Sequence, residues 1–327
     1  MSSFSEIILS WYDAHGRDLP WRRTRDPYAI LLSEIILQQT RIAQGQAYWE
    51  RFMAAWPDVQ ALAAADEDEV LRCWQGLGYY SRARNLHAAA RQIAAAGRFP
   101  DTLAGIRALK GVGDYTAAAI GSIAFGLPAA VVDGNVYRVL ARHFGIATPV
   151  GSAAAKKEFT TIAQSLLPVD RPGDFNQGMM DFGAMQCTPA APDCAGCPLA
   201  DSCAALAAGR VDELPVREKG PAVQERRFSY VYLRFRGRTA IRKRPVGDIW
   251  AGLWEPLVCD QLPKDAVLLK SGVKHQLTHR TLIVDFYLWE PAEEPALPEG
   301  YVWIEEAELD RYAKPRLFER LLETLPK

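Results

Sequence analysis

The sequence predicts a multidomain protein of α and α+β class, an all-α domain followed by a smaller α+β domain. Three observations carry that prediction. Apolar residues recur at helical spacing up to about residue 185, where a cysteine-rich loop begins. A polar stretch with Pro215, Gly220 and Pro221 then interrupts the pattern at 209–224. Beyond it, polar and apolar residues alternate as they do in strands. The expected organisation is therefore 1–208, an interdomain linker at 209–224, and 225–327.

Composition sets the outer bounds. A chain of 327 residues is long enough for two domains, and 49% hydrophobic with 24% charged residues is an ordinary globular mixture. The formal net charge of −1 excludes a global positive field, so contact with nucleic acid requires a local basic patch. The opening MSSFSEIILSWYDAHGRDLPW has no basic region ahead of a long apolar core, so neither a signal peptide nor a membrane span is expected. Four of the six cysteines crowd into one segment, which favours a metal site over disulfides.

Phe4, Ile7, Ile8, Trp11 and Tyr12 mark a first amphipathic helix. After the irregular HGRDLPWRRTRDPY, Asp26 and Pro27 read as an N-cap and a first helical position. The run YAILLSEIILQQTRI is apolar almost all round, the mark of a buried helix. Glu34 lies within it and shares a face with Ile30, Leu31, Leu37 and Gln38. Desolvation raises the pKa of a carboxyl so placed toward the range of a general acid. A structural ion pair with Arg22 or Arg41 is the other reading of the same residue.

Helical patterns continue at 48–56 and 67–74. GLGYYSRARNL then sets Gly76 and Gly78 ahead of Tyr79, Tyr80, Arg82 and Arg84. Aromatic and cationic side chains beside a glycine turn suit a wedge into a nucleic-acid strand, and an aromatic pair at a helix start equally suits a core. A helix at 84–96 ends at Gly97, and 102–108 leads into LKGVGDYTA. There Gly111 and Gly113 are expected to take positive-φ backbone and to approach a ligand closely, while amides opening the next helix offer donors to an anion such as a DNA phosphate. The same glycines also serve a plain turn between helices.

Residues 114–125 form a small-residue-rich helix, and Asp133 stands as the N-cap of another at 136–144. Capping alone accounts for an aspartate, yet its second oxygen is free to face a developing cation. Helices at 152–166 and 173–185 run into Cys187, Cys194, Cys197 and Cys203. This C-x6-C-x2-C-x5-C loop suits one cubane iron–sulfur cluster and lacks the two-plus-two pairing of common zinc modules, with zinc as the alternative. Cys73 and Cys259 read as inert core thiols.

In the last third, FSYVYLRFR, Gly237 and TAIRKR make a β-hairpin, with further strands at 253–258, 282–289 and 301–304 and a closing helix at 316–325. Arg226, Arg227, Arg234, Arg236, Arg238, Arg242, Lys243 and Arg244 form the densest basic run, either a solvated edge or a surface for phosphates.

The LKGVGDYTA hairpin, the acid of VVDGNV, the SEIILQQT helix and the four-cysteine loop together resemble the endonuclease III superfamily of helix–hairpin–helix DNA glycosylases. Within it the chain is similar to the MutY-type adenine DNA glycosylases, closely so over its first two-thirds. The resemblance implies a 4Fe-4S cluster on the loop 187–203, held by Cys187, Cys194, Cys197 and Cys203. It also implies a cytoplasmic, nucleoid-associated monomer without a membrane partner, acting on double-stranded DNA with adenine opposite 8-oxoguanine or G. Bifunctional relatives carry a Schiff-base lysine two residues after the hairpin's second glycine, where this chain has Tyr115. They also read Val-Asp-Thr-His where it has Val132-Asp133-Gly134-Asn135, so a monofunctional enzyme is implied.

The same resemblance assigns roles. Glu34 would protonate adenine N7 and later act as base toward water, while Asp133 would stabilise or attack the oxocarbenium-like sugar. Tyr115 and Asn135 match residues that hydrogen-bond around Asp133 and the sugar. Arg22 matches a contact to the flipped adenine, and Gln39, Leu77 and Tyr79 match residues that fill the vacated stack. The amides at Gly111 and Gly113 would hold phosphate without reading sequence. The C-terminal strands and GDIWAGLWE resemble the family's Nudix-like lesion-recognition domain, without the repeated glutamates of a Nudix phosphohydrolase. Leu277-Thr278-His279 stands where Phe-Ser-His is usual, leaving Thr278 and His279 as the expected lesion contacts. Two other functions compete: a glycosylase with lyase activity on oxidised pyrimidines, opposed by Tyr115, and a non-catalytic iron–sulfur DNA-binding protein, opposed by Glu34 and Asp133.

Overall fold

A computed structural model describes residues 3–218, 224–245, 247–259, 261–277 and 280–326. The chain divides into two compact units, Met1–Ala63 with Ala88–Lys219, and Ala64–His87 with Gly220–Lys327. In chain order the helices are α1 (Phe4–His15), α2 (Pro27–Leu37), α3 (Ile42–Ala55), α4 (Val59–Ala64), α5 (Glu67–Trp74), α6 (Ser81–Ala96), α7 (Leu103–Arg107), α8 (Asp114–Phe125), α9 (Gly134–Phe144), α10 (Ala153–Leu166), α11 (Pro172–Met185), α12 (Ala204–Ala207) and α13 (Arg316–Leu322).

Local chemistry explains most of the first unit's boundaries. The side chains of Asp26, Asp133 and Ser152 cap α2, α9 and α10 by accepting from amides two or three residues on. The continuous helix expected through YAILLSEIILQQTRI is instead broken after Leu37. Gln39 takes φ 57°, and the Thr40 amide donates back to the Leu37 carbonyl at 3.1 Å before α3 begins. The break falls where the buried apolar run gives way to half-buried and exposed residues from Gln38 to Arg41. Of the hairpin glycines, Gly111 has the expected positive φ of 78°, but Gly113 does not. Gly113 is the N-cap of α8 at φ −95°, a conformation open to any residue.

Ile8 and Trp11 of α1, Val139 and Leu140 of α9, Phe159 of α10, and Phe175, Met179 and Phe182 of α11 fuse into one core of this unit. Part of the stretch expected as linker packs here too. Leu214 is buried, and the Val150 amide donates to the Val216 carbonyl at 2.8 Å.

The second unit is built on a seven-stranded mixed sheet of β1 (Gln224–Phe235), β2 (Arg238–Lys243), β3 (Trp254–Glu255), β4 (Leu257–Val258), β5 (Val267–Gln276), β6 (Arg280–Trp289) and β7 (Tyr301–Glu305). Its order is β3-β2-β1-β6-β5, with β4 on β1 and β7 on β2. β1 and β6 run parallel and pair Phe228 with Val284, while β1 and β2 form the expected hairpin through Arg236 and Gly237, both at positive φ. Pro256 lacks an amide hydrogen and separates β3 from β4 within the strand expected at 253–258. β5 escaped the sequence reading because it hides its alternation: Val273 is its one buried residue, and its pairing shifts register twice. The segment 64–87 joins this unit through Lys243 on Asp68, Gln75 on Glu319 and Arg84 on the Ala251 carbonyl.

Most of the basic run is already neutralised. Arg226 pairs with Asp248, Arg234 with Glu306, Arg238 with Glu294, Arg242 and Arg244 with Glu255, and Lys243 with Asp68. Cys73 and Cys259 are half-buried and less deeply enclosed than core thiols.

Candidate active site

α2 is buried on nearly every side, with Ile30, Leu31, Ile35 and Ile36 at 2% exposure or less. Glu34, with Ile30, Ser33 and Leu37 of the same helix, lines a cavity of about 520 Å³ in the first unit. Arg22, Gln39, Tyr115, Asp133 and Asn135, all singled out from sequence, line the same cavity. Four stretches far apart in the chain thus converge on one space: the turn before α2, α2 with its C-terminal end, α8, and the start of α9.

Burial pushes the Glu34 carboxyl up to about 7, with the nearby Asp133 carboxylate adding to the rise. Two groups oppose it, the Tyr115 hydroxyl and the charge of Arg22. That hydroxyl donates to Met180 Sδ at 3.4 Å. Among the described residues no ion pair joins Glu34 to Arg22 or Arg41. Arg22 instead donates through Nη1 and Nη2 to Asp181 at 2.6 and 2.9 Å. The acid therefore takes its proton near neutrality, where a general acid is most effective.

Asp133 caps α9 with one oxygen, while its second oxygen is taken by a side chain. Oδ1 accepts from the amides of Asn135 and Val136, each at 2.8 Å, which caps α9. Oδ2 accepts from Asn135 Nδ2 at 2.8 Å. Burial pushes this carboxyl above its ordinary range, while these donors favour the charged form that can face a cation. Asn135 is fixed in turn by Arg138, whose Nη2 donates to Asn135 Oδ1 at 2.8 Å and whose Nε donates to the Cys187 carbonyl at 2.7 Å.

Sequence reasoning missed Asp181, Arg138 and the cavity-lining Gln177 and Met180. Asp181 carried a usable signal, an acid inside an apolar helix, the same signal that found Glu34. Gly111 and Gly113 lie on the hairpin before α8, outside the cavity wall. Thr278 and His279 fall outside the described residues.

Residues 32–165 match the HhH-GPD superfamily of base excision DNA repair proteins, and residues 229–324 match the NUDIX domain. An adenine DNA glycosylase of Buchnera aphidicola is 34% identical over 254 residues, covering 77% of this chain and 73% of that protein. The chain belongs to the adenine DNA glycosylase family. The Homo sapiens adenine DNA glycosylase is 44% identical over 216 residues, 63% of this chain and 40% of the human protein. The chain spans only 40% to 46% of the length of the human, mouse and rat relatives. Among solved structures, a thermostable thymine-DNA glycosylase superposes with a TM-score of 0.57 at 33% identity, over 63% of this chain and 95% of its own. The all-α domain with a Nudix-like α+β domain expected from sequence is the class observed.

Cys187, Cys194, Cys197 and Cys203 lie on one loop within electrostatic reach of one another. Arg142 braces the loop, donating through Nη1 to Cys187 Sγ at 3.4 Å and to the Thr188 carbonyl at 2.7 Å. Among the described residues no three His, Cys, Asp or Glu side chains converge as the ligands of one ion do. Four thiols on one short loop are the soft donor set that an iron–sulfur cluster or a zinc ion takes.

The second unit holds its own cavity, about 640 Å³, lined by Tyr79, Arg84, Trp250, His275, Leu277 and Arg280 among others. The two adjacent tyrosines divide their roles, with Tyr80 at 6% exposure in the core and Tyr79 at 46% and φ 47° facing outward. Arg82 holds the turn by donating to the carbonyls of Leu77 and Gly78 at 3.2 and 3.3 Å. Leu77 is itself buried.

Proposed function

We propose that the chain is a monofunctional adenine DNA glycosylase of base excision repair, hydrolysing the N-glycosidic bond of adenine opposite 8-oxoguanine or G in double-stranded DNA. The observation that carries this reading is the pair of carboxyls on one cavity, Glu34 holding a proton near neutrality and Asp133 held by donors that favour its charge. Glu34 protonates N7 of a flipped adenine, so the base departs neutral instead of as a poor anion. Asp133 then stabilises the oxocarbenium-like sugar, and Glu34, now a carboxylate, takes a proton from the attacking water. Asn135 orients Asp133, Tyr115 orients Glu34, and Arg22 faces the base. No amine stands at position 115, so Schiff-base formation and strand cleavage are not expected.

Flipping costs a few kcal/mol, which DNA contacts must offset. Gln39, Leu77, Tyr79 and the Gly111–Gly113 hairpin are the residues we assign to that task. The second unit's cavity, with Tyr79 and Trp250 for stacking and Arg84 and Arg280 as donors, supports a role in receiving the base opposite the adenine. A 4Fe-4S cluster held by Cys187, Cys194, Cys197 and Cys203 would cross-link the loop on which Arg138 and Arg142 rest.

The test is single-turnover base release by cluster-loaded protein on duplexes carrying A opposite 8-oxoguanine, A opposite G, or an oxidised pyrimidine opposite G. Adenine release from the first two without strand cleavage is expected. Absence of release from both adenine duplexes, or cleavage at the oxidised pyrimidine, would overturn the reading. Iron analysis of the same preparation checks the cluster, and zinc without iron would refute it.

A further inference from the structure

Asp181 lies on α11, and its side chain is wholly buried. Two arginines converge on it. Arg22 donates through Nη1 to Oδ2 at 2.6 Å and through Nη2 to Oδ1 at 2.9 Å. Arg17 donates its backbone amide to Oδ2 and its Nε to Oδ1, both at 2.9 Å, with Nη2 also on Oδ1. Burial alone would raise this carboxyl, but the hydrogen bonds of Arg22 and Arg17 hold it below the ordinary range. A bidentate arginine of this kind is fixed in orientation as well as in charge.

The orientation matters because Arg22 and Glu34 line the same cavity. An arginine beside a buried acid is normally drawn into an ion pair, and an acid so paired stays ionised. Here both terminal nitrogens of that arginine are committed elsewhere. We propose that Asp181 is a positioning residue whose grip on both terminal nitrogens of Arg22 denies Glu34 an ion-pair partner, preserving Glu34 as a proton donor. The inference rests on the reading of Glu34 as the acid. The charged and titratable groups facing Glu34 are Tyr115 from α8, Asp133 from the start of α9 and Arg22 from the turn before α2. Those facing Arg22 are Tyr12 from α1, Asp181 from α11 and Glu34 from α2. Among the described residues Arg22 is the cation that acts on Glu34, and Arg17, which lines the same cavity, is itself held by Asp181, so the tether on Arg22 decides whether a pair forms.

The experiment titrates the Glu34 carboxyl by carbon-13 NMR in full-length, cluster-loaded protein labelled at glutamate, the signal being assigned by its loss in Glu34→Gln. Asp181→Asn keeps the side-chain shape but weakens the grip, so Arg22 turns to Glu34 and the titration midpoint falls by about one pH unit or more. Arg22→Gln removes the cation and moves the midpoint upward. Adenine release under single-turnover conditions shifts its alkaline limb in the same directions, which a merely structural loss would not do. A midpoint that stays or rises in Asp181→Asn overturns the inference. If that variant does not fold, a midpoint that stays or falls in Arg22→Gln overturns it instead. Midpoints that move as expected in a protein releasing no adenine from any duplex support the tether and sink the proposed function. Release with unmoved midpoints sinks the tether alone.

Discussion

The Tyr115 hydroxyl of α8 and the Glu34 carboxyl of α2 line one cavity, and the hydroxyl favours the charged form of the acid. A phenol is neutral and leaves the acid able to hold its proton, which the charge of a lysine at the same position would not. The hydroxyl favours the charged carboxylate, and burial more than offsets it.

The pH dependence follows directly. With Glu34 at about 7, the protonated acid predominates below that pH, and adenine release falls about tenfold per unit above it. Tyr115→Phe removes a hydroxyl that favours the charged Glu34, so the alkaline limb moves to higher pH. Single-turnover rates across neutrality, for both proteins, are the measurement.

Glu34 also makes the fold weaker at alkaline pH. Its folded pKa of about 7 exceeds the ordinary 4.5, so between those values the folded state binds more protons than the unfolded one. Stability therefore falls as pH rises through that window, and the full penalty, about 3 kcal/mol in order of magnitude, is present above it. Glu34→Gln should unfold at higher denaturant concentration than the parent at about pH 8 and show no such gain near about pH 4.

Asp133→Asn separates capping from chemistry. Asparagine caps helices about as well as aspartate, so chemical denaturation should shift by less than about 1 kcal/mol. The negative charge facing the sugar is lost, and base release should fall by at least about a hundredfold while duplex binding by gel shift stays within a few-fold. Retained release would remove Asp133 from the reaction.

Glu255 has no exposed side-chain surface and serves both Arg242 and Arg244. Glu255→Ala leaves the buried Arg244 guanidinium with Asp248 as its remaining ion-pair partner, a loss of about 3–5 kcal/mol. Calorimetry should show the loss in the transition of the second unit.

Arg238 tests whether the basic run meets DNA. Its guanidinium is held by Glu294 and lies 5.0 Å from the Trp303 ring centre. Arg238→Ala should change the slope of log affinity against log salt by much less than the roughly 0.9 expected for one phosphate contact. A change of that full size would show that the pair opens on binding.

Much of the site was legible in the chain because the signals were local. A proline after Asp26 and amides just beyond Asp133 and Ser152 gave the helix starts, and a carboxylate amid isoleucines and leucines marked Glu34. Gly113, Gln39 and β5 were read less well. Gly113 was credited with a backbone conformation that only Gly111 adopts, Gln39 broke a helix that the apolar pattern ran through, and β5 buries too little to alternate.

The sequence by itself determined what depends on neighbours within a few residues: helix caps, buried faces, the four-cysteine spacing and the tyrosine where a lysine would define another chemistry. The tertiary structure alone decided which charges meet. Arg22 finds Asp181 159 positions away and not Glu34, and most of the arginines of β1 and β2 find carboxylates that neutralise them. Periodicity reports whether a side chain is buried. The partner of a buried charge is chosen by how helices and strands pack, because only packing brings groups distant in sequence within hydrogen-bonding reach.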